Sequence, residues 1–486
     1  MSLKQQTIYG TWWSAVEKIS LAGIQFLLQI ILARLLTPAD YGVIGILAIF
    51  LALANAFIDC GFTSALVQNQ QRTEEDFSTA FYFNIVISLF FFLVLFVAAP
   101  YIAAFYEMPI LTPVTRVLSL SLPISALSAV NRTKLQIAVD FKTQMKASLC
   151  AVLLSGIIGI ILAYKGFGVW ALVTQTISNA LLNSLLLFYF IRWLPKCWFS
   201  VPSFKKMFDF GSKLLAASLL DVFYFNMYPL VIGKLFSAAN LGLYSRASSF
   251  AQVPPLLTNS IVTRVTFPIF SQIQDDTKRL FFVYKKYLAV LSSVYAPIVL
   301  GLCAISRPMI LFLIGDKWMG AIPLLRILCV AVLFDCLTNV NLNLLYVKGY
   351  TNLVLKLNIV KRIISFTILL ISLPFGIIGL CWGQAIYSQI ALFLNTYYTK
   401  KILNLGYWEQ MQTVFPSYAI AAVSALAAFG ITCLPFTNWV QLTGGIFVAG
   451  MFYTFLIFWF KLDIWEEGIA LVKSVLFNKL SKRHGM

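Results

Sequence analysis

Apolar stretches of about 20 residues, separated by short polar connections, follow one another along almost the whole of this 486-residue chain. Coiled as a helix, a stretch of that length crosses the hydrocarbon core of a bilayer. In lipid every backbone group must find its partner internally, so a run of such stretches folds as a bundle of helices. The pattern predicts an all-α polytopic membrane protein with about fourteen transmembrane helices, the first six at about 10–34, 40–62, 77–104, 111–132, 145–164 and 168–192. The next six are expected at about 207–234, 239–264, 285–313, 320–346, 353–374 and 377–399, and a last pair at about 412–434 and 440–460. Pro254 and Pro255 predict a kink in the eighth helix, with the freed backbone groups facing protein or water.

Composition agrees: 60% of the residues are hydrophobic and 11% charged, against about 25% charged in soluble domains. The single histidine, His484, excludes histidine-based catalysis and most transition-metal sites. The eight cysteines lie mostly in apolar runs and none is spaced C-x-x-C, so they read as buried apolar residues and no metal or other cofactor is expected. Only Lys4 precedes the first long apolar segment, without a small-residue cleavage site, so the first helix is expected to serve as its own insertion signal. No connection is long enough for a folded domain, which argues against a membrane-embedded glycosyltransferase or acyltransferase. Glu74, Glu75 and Asp76, the best acidic cluster, read as a solvated cytoplasmic turn.

The net charge of +18 has no basic stripe or RNA-binding motif beside it, so no nucleic acid is implied. Topology explains it instead. With the N-terminus in the cytoplasm, the cytoplasmic side receives Arg132, Lys134, Lys142, Lys146, Arg192, Lys196, Lys205, Lys206, Lys278, Arg279, Lys285, Lys286, Lys348, Lys356, Lys361, Arg362, Lys400 and Lys401. The opposite side holds only Arg34, Lys165, Lys234, Arg307 and Lys317. This is the asymmetry of a chain with both termini inside. Residues 462–486 read as an interfacial amphipathic tail, Ile464, Trp465, Ile469, Leu471, Val472, Val475 and Leu476 lying opposite Glu466, Glu467, Lys473 and Lys479, suited to membrane lipids.

The chain repeats itself. LARLLTPADYG at 32–42 aligns with IGKLFSAANLG at 232–242, sharing Leu35/Leu235, Ala39/Ala239 and Gly42/Gly242, with Arg34/Lys234, Thr37/Ser237 and Asp40/Asn240 as close substitutions. PVTRVL at 113–118 aligns with PLLRIL at 323–328. A six-helix unit returns the chain to its starting side, so two such lobes insert in parallel, a geometry known in transporters with the substrate site between the halves. The expected organisation is 1–201 (helices 1–6), 202–404 (helices 7–12), 405–461 (helices 13–14) and the tail 462–486.

Charges inside the predicted spans need partners or water, each costing about 2.5–3.5 kcal/mol at mid-bilayer. They are Glu17 and Lys18 in helix 1, Asp59 in helix 2, Lys213 and Asp221 in helix 7, Arg246 and Arg264 in helix 8, Arg116 in helix 4, and Arg326 and Asp335 in helix 10. On helix 1, Ser14, Lys18, Gln25 and Gln29 share one face; on helix 8, Ser245, Ser249, Gln252, Asn259 and Thr263 do the same. Two such stripes from different lobes would line a central cavity, whose cations suit an anionic substrate. Salt bridges that only lock helices account for the same charges, and Lys213 and Arg264 are near enough to the cytoplasmic face to snorkel. Arg116 and Arg326, at equivalent repeat positions, lean structural; Lys18 and Arg246 lean functional.

LARLLTPADYGVIGILAIF near the end of helix 1, with the two-lobe repeat and the helix count, resembles the polysaccharide transporter family of the multidrug/oligosaccharidyl-lipid/polysaccharide (MOP) superfamily, the Wzx-type flippases for colanic acid, teichuronic acid and O-antigen units. The resemblance implies two six-helix lobes around a V-shaped cationic cavity, with the last two helices outside. It also implies a lipid-linked oligosaccharide (undecaprenyl pyrophosphate as carrier) moved between leaflets of the bacterial inner membrane by alternating access, coupled to H+ or Na+. Glycosyltransferases and a glycan polymerase of the same pathway would be partners. On this reading the pyrophosphate binds near Lys18, Lys213 and Arg246, with Arg264, Arg116 and Arg326 as further cations. Gln25, Gln29, Gln252 and Asn259 meet sugars, and Asp221, Asp335, Glu17 or Asp59 carry the coupling proton. A lipid II flippase and a multidrug exporter of the same superfamily are the nearest alternatives, the second disfavoured by facing cations.

Overall fold

The computed structural model describes the backbone of residues 3–262 and 266–460, with side chains from Trp13 onward except at 15, 257 and 259–261. Among the described residues the chain is helical and has no strand. It divides into two compact units, Met1–Ser245 and Arg246–Met486. Among the described residues twelve segments are long and apolar enough to cross a membrane by length and composition. One of them, Thr351–Leu403, contains two helices; the expected eighth helix is not among the twelve, because it is broken in two. The expected tail at 462–486 lies outside the described residues.

The first unit holds α1 (Leu3–Leu35), α2 (Pro38–Asp59), α3 (Phe62–Gln68), α4 (Glu74–Tyr106), α5 (Leu111–Leu118), α6 (Ser121–Ile137), α7 (Phe141–Tyr164), α8 (Val169–Ile191), α9 (Val201–Leu235) and the start of α10 (Ala238–Ala251). Its main helix pairs are α7 with α8 and α1, α2 with α9, and α6 with α4 and α8. Burial is inverted relative to a water-soluble bundle. In α4, Val86, Phe90, Leu93 and Val97 form an exposed apolar stripe, whereas Ser78, Thr79, Asn84 and Ser88 are buried. Small polar residues let helices approach closely where lipid already solvates the apolar faces.

The repeated motif is a helix start followed by a close crossing. Thr37 caps α2: its Oγ1 accepts from Asp40 N at 3.3 Å and its N donates to Asp40 Oδ2 at 2.9 Å. At α10, Ser237 Oγ accepts from Asn240 N at 3.2 Å. Thr37 and Ser237 thus play the same capping part, while the reciprocal side-chain bond of the capping box is made by Asp40 at α2. Gly42 and Gly242 then let the two helices meet backbone to backbone. A Cβ on Gly42 would lie 2.8 Å from Ala238 Cα and collide with its carbonyl oxygen; a Cβ on Gly242 would lie 2.7 Å from the Pro38 carbonyl carbon.

The second unit holds the rest of α10, then α11 (Val253–Ile261), α12 (Phe267–Gln272), α13 (Thr277–Ala304), α14 (Ser306–Leu313), α15 (Ala321–Val332), α16 (Asp335–Val347), α17 (Thr351–Ser372), α18 (Gly376–Leu403), α19 (Tyr407–Thr432) and α20 (Asn438–Trp459). The chain breaks between α10 and α11 at Gln252, just ahead of Pro254 and Pro255, which is where the prolines' missing donors end one helix and seed the next. The principal pairs are α13 with α19, α19 with α20, and α18 with α15 and α17. The spans Leu111–Ile137 and Ala321–Val347, both 27 residues and offset by 210, are each interrupted by a turn, between α5 and α6 and between α15 and α16.

Polar interiors tie each unit together. In the first, Glu74 accepts from Lys134 Nζ at 2.9 Å and from Trp193 Nε1 at 2.8 Å, while Lys134 lies 4.4 Å from the ring centres of both Phe77 and Trp193. Asp76 is buried and closes the capping box of α4 with Thr73. The acidic cluster is therefore a clasp and a cap: Glu74 and Glu75 stay exposed, as a solvated turn would have them, and Asp76 is buried. In the second unit the buried amides of Asn341 and Gln410 bond reciprocally at 2.9 and 3.0 Å, and Thr399 Oγ1 donates to Asn341 Oδ1 at 2.6 Å. The cysteines are free; Cys60, Cys329, Cys336 and Cys381 are buried as expected, but Cys150 and Cys433 are exposed.

Candidate cationic face

Helix α1 carries its polar residues on a face of their own. At 100° per residue, Lys18, Gln25 and Gln29 fall within about 40° of one another, and exposed Ile19 and Leu27 point roughly 100° to 180° away. All three polar side chains are exposed in the first unit. Glu17, one residue before Lys18, turns instead into the bundle: it is 5% exposed and accepts from Gln144 Nε2 of α7 at 3.1 Å. On the same buried side Leu28 packs over Gly156 of α7. The packed side of α1 thus holds a hydrogen-bonded acid, and the open side holds a cation and two amides.

The other singled-out residues separate by environment. On α9, Lys213 and Asp209 form an exposed i,i+4 pair at 3.5 Å, and Asp221 is exposed further along. Asp59, at the end of α2, is exposed and accepts from Thr63 Oγ1 at 2.7 Å. Arg116 donates from Nε to Phe96 O at 3.4 Å with its guanidinium 4.7 Å from the Phe96 ring centre. Arg326 donates to Ser306 Oγ at 3.0 Å and lies 5.4 Å from the Phe429 ring centre. Both arginines cover an aromatic ring within their own unit. Arg246 is half-buried on α10, between half-buried Ser245 and exposed Ser249, and Gln252 is exposed at the α10–α11 break. Asp335 is the first residue of α16, where the free N–H groups of a helix start favour a carboxylate. Arg264 and the side chain of Asn259 lie outside the described residues. Among the described residues no group of three or more histidine, cysteine or acidic side chains could hold a metal.

Two features escaped the linear reading. A cavity of about 440 Å³ opens in the first unit where α3 ends and α9 begins, lined by Gln68, Asn69, Gln70, Gln71, Lys206 and Phe210 among others. Four consecutive carboxamides were visible as a sequence run, but their convergence on Lys206 depends on the fold. The second feature is Lys361. Counted by sequence as a cytoplasmic loop charge, it is 7% exposed on the buried face of α17, which also carries Val354, Leu357, Ser365 and Leu369. That spacing of three and four was present in the sequence, but positive-inside counting ignores which way a helix residue faces.

The membrane-length apolar spans and the exposed polar face of α1 define a polytopic helical membrane protein. The fold is that of the MOP superfamily. A lipid II flippase, MurJ, in an inward closed conformation aligns with 93% of this chain and 99% of its own at a TM-score of 0.71 and 15% identity. An inward-facing multidrug resistance MATE transporter aligns with 79% of this chain and 98% of its own at 0.59 and 16%. The polysaccharide biosynthesis protein family model matches residues 31–323, and the chain belongs to that family. It is 28% identical over 442 residues to the lipopolysaccharide biosynthesis protein WzxC of Escherichia coli K12, covering 87% of this chain and 89% of the relative. It is 26% identical over 437 residues to the teichuronic acid biosynthesis protein TuaB of Bacillus subtilis 168, covering 89% and 90%. It is 29% identical over 339 residues to the succinoglycan biosynthesis transport protein ExoT of Rhizobium meliloti 1021, covering 69% and 68%.

Proposed function

We propose that this polysaccharide-biosynthesis transporter moves an oligosaccharide linked to undecaprenyl pyrophosphate from the cytoplasmic to the outer leaflet of a bacterial inner membrane, by alternating access coupled to H+ or Na+. The observation that carries this reading is the α1 stripe: Lys18, Gln25 and Gln29 are exposed on a membrane-length span, on a face separate from the exposed Ile19 and Leu27. A cation left exposed there needs water or an anionic ligand. A pyrophosphate supplies the anion, and carboxamides donate to and accept from sugar hydroxyls. Arg246 on α10 is the second cation assigned to the pyrophosphate, and Asp221 and Asp335 are the candidate proton carriers. The polar cavity beside Lys206 offers the same amide-plus-cation chemistry for the headgroup before transfer. Both termini are assigned to the cytoplasm, from the lysine and arginine asymmetry.

Lys18→Ala and Arg246→Ala variants, expressed in a bacterium lacking its own flippase for a surface glycan, test the assignment. Surface glycan is expected to appear with the wild-type chain and fall at least tenfold with either variant at equal membrane abundance. Export at the wild-type rate by both variants overturns the cationic assignment. Rescue of a peptidoglycan flippase deficiency, in place of glycan export, would favour the lipid II alternative.

A further inference from the structure

Lys361 places an ammonium halfway along a membrane-spanning helix without an acid to meet it. It is the eleventh of the 22 residues of α17, about 15 Å from the helix start at 1.5 Å per residue. Its face of the helix is the buried one, and α17 packs on α18. The one hydrogen bond of Lys361 among the described residues runs to Asn395 Oδ1 of α18 at 3.4 Å, and no carboxylate lies within ion-pairing distance. Asn395 is fully buried and its Nδ2, on the same planar amide, has no partner. Ser365, one helical turn beyond Lys361 on the same face, is 1% exposed, and its Oγ also has no partner.

The donor inventory is one-sided. An ammonium brings three N–H groups and no acceptor, the Asn395 amide two more, and the serine hydroxyl one. The nearby hydroxyls on α18 have already used their single hydrogens, Thr399 on Asn341 Oδ1 and Thr396 on Phe393 O, and as neutral groups they do not balance the charge. Arg362 follows in sequence and adds positive charge. What is missing is one small, buried, negatively charged acceptor. Water would satisfy the amide and the hydroxyl, but it leaves the charge unanswered.

We propose that Lys361, Asn395 and Ser365 bind a monovalent inorganic anion of chloride size, which serves as the counter-ion of Lys361 and joins α17 to α18. The site is built from residues of the second unit alone and does not depend on the transport reading.

The test uses the full-length protein purified in detergent, with thermal unfolding followed in sodium chloride and in sodium gluconate at equal ionic strength. The wild type is expected to melt several degrees higher in chloride, saturably, with bromide able to replace it. Lys361→Met keeps the apolar stem without the charge and is expected to melt alike in both salts. Ser365→Ala is expected to weaken the apparent chloride affinity about fivefold, the equivalent of one hydrogen bond. Equal melting of the wild type in both salts, or an undiminished chloride response in Lys361→Met, overturns the proposal. Should Lys361→Met not fold, crystals of the wild type grown with bromide decide the matter. An anomalous peak in contact with Lys361 Nζ supports the site, and its absence there overturns it.

Discussion

One methyl group at Gly42 probes the crossing of α2 and α10 most sharply. The added Cβ would lie 2.8 Å from Ala238 Cα, whereas carbon atoms rest about 3.5–4.0 Å apart. The Ala238 carbonyl carbon and oxygen are closer still, so the helices must separate by more than about 1 Å or bend, and the colliding atoms are backbone, which has no rotamer to escape into. Overpacking of this kind costs about 1–3 kcal/mol, and a backbone-on-backbone clash belongs at the upper end. A loss of about 3 kcal/mol lowers the folded-to-unfolded ratio roughly a hundredfold. The controls are Gly23→Ala in α1 and Gly450→Ala in α20, where nothing lies within 4 Å of the built Cβ. Alanine gains about 1 kcal/mol over glycine inside a helix, so the controls are expected to be neutral or stabilised. Thermal unfolding of the purified variants reads the difference, and Gly242→Ala is expected to behave like Gly42→Ala. Equal melting of Gly42→Ala and Gly23→Ala would refute the close crossing and, with it, the structural reason for the repeated glycine.

The two polar clasps give further tests by the same melting assay. Glu74→Ala removes the acceptor shared by Lys134 and Trp193 and is expected to destabilise by about 1–2 kcal/mol, the partly exposed ion pair contributing the smaller share. Glu74→Gln keeps an acceptor for Trp193 and should fall between the two. Gln410→Leu leaves one buried N–H of the Asn341 amide without its acceptor, Leu337 O and Thr399 keeping the rest of that amide paired, and is expected to cost about 1–3 kcal/mol. The double variant Asn341→Leu with Gln410→Leu removes both amides and should lose less than the sum of the single variants.

The sequence carried the architecture further than the contacts. The placement of the spans followed from apolar length, although the described residues hold twelve of them against the fourteen expected, and the break before Pro254 followed from proline chemistry. The 32–42 and 232–242 match identified the repeat, and its Thr37/Asp40 pair has the spacing of a capping box. What it could not supply was partnership. Gly42 and Gly242 stood out as shared residues, but their reason, a backbone crossing, needs both helices in place. Glu17 and Lys18 are neighbours in sequence, yet one faces α7 and the other stays exposed, a division fixed by which side of α1 is packed. Lys361 reads as a loop charge when charge is counted along the chain, and only the packing of α17 shows that it faces inward.

Flipping in a defined membrane is the most direct test of the central claim. The purified wild-type chain is reconstituted in vesicles containing undecaprenyl-pyrophosphate-linked oligosaccharide. A membrane-impermeant reagent that cleaves exposed sugars then reports how much headgroup has crossed. The account predicts that the protein makes nearly all of the headgroup accessible, at a rate well above that of empty vesicles and at least tenfold reduced in Lys18→Ala. Accessibility that stays at half, as in empty vesicles, under an imposed H+ or Na+ gradient of either direction would contradict it.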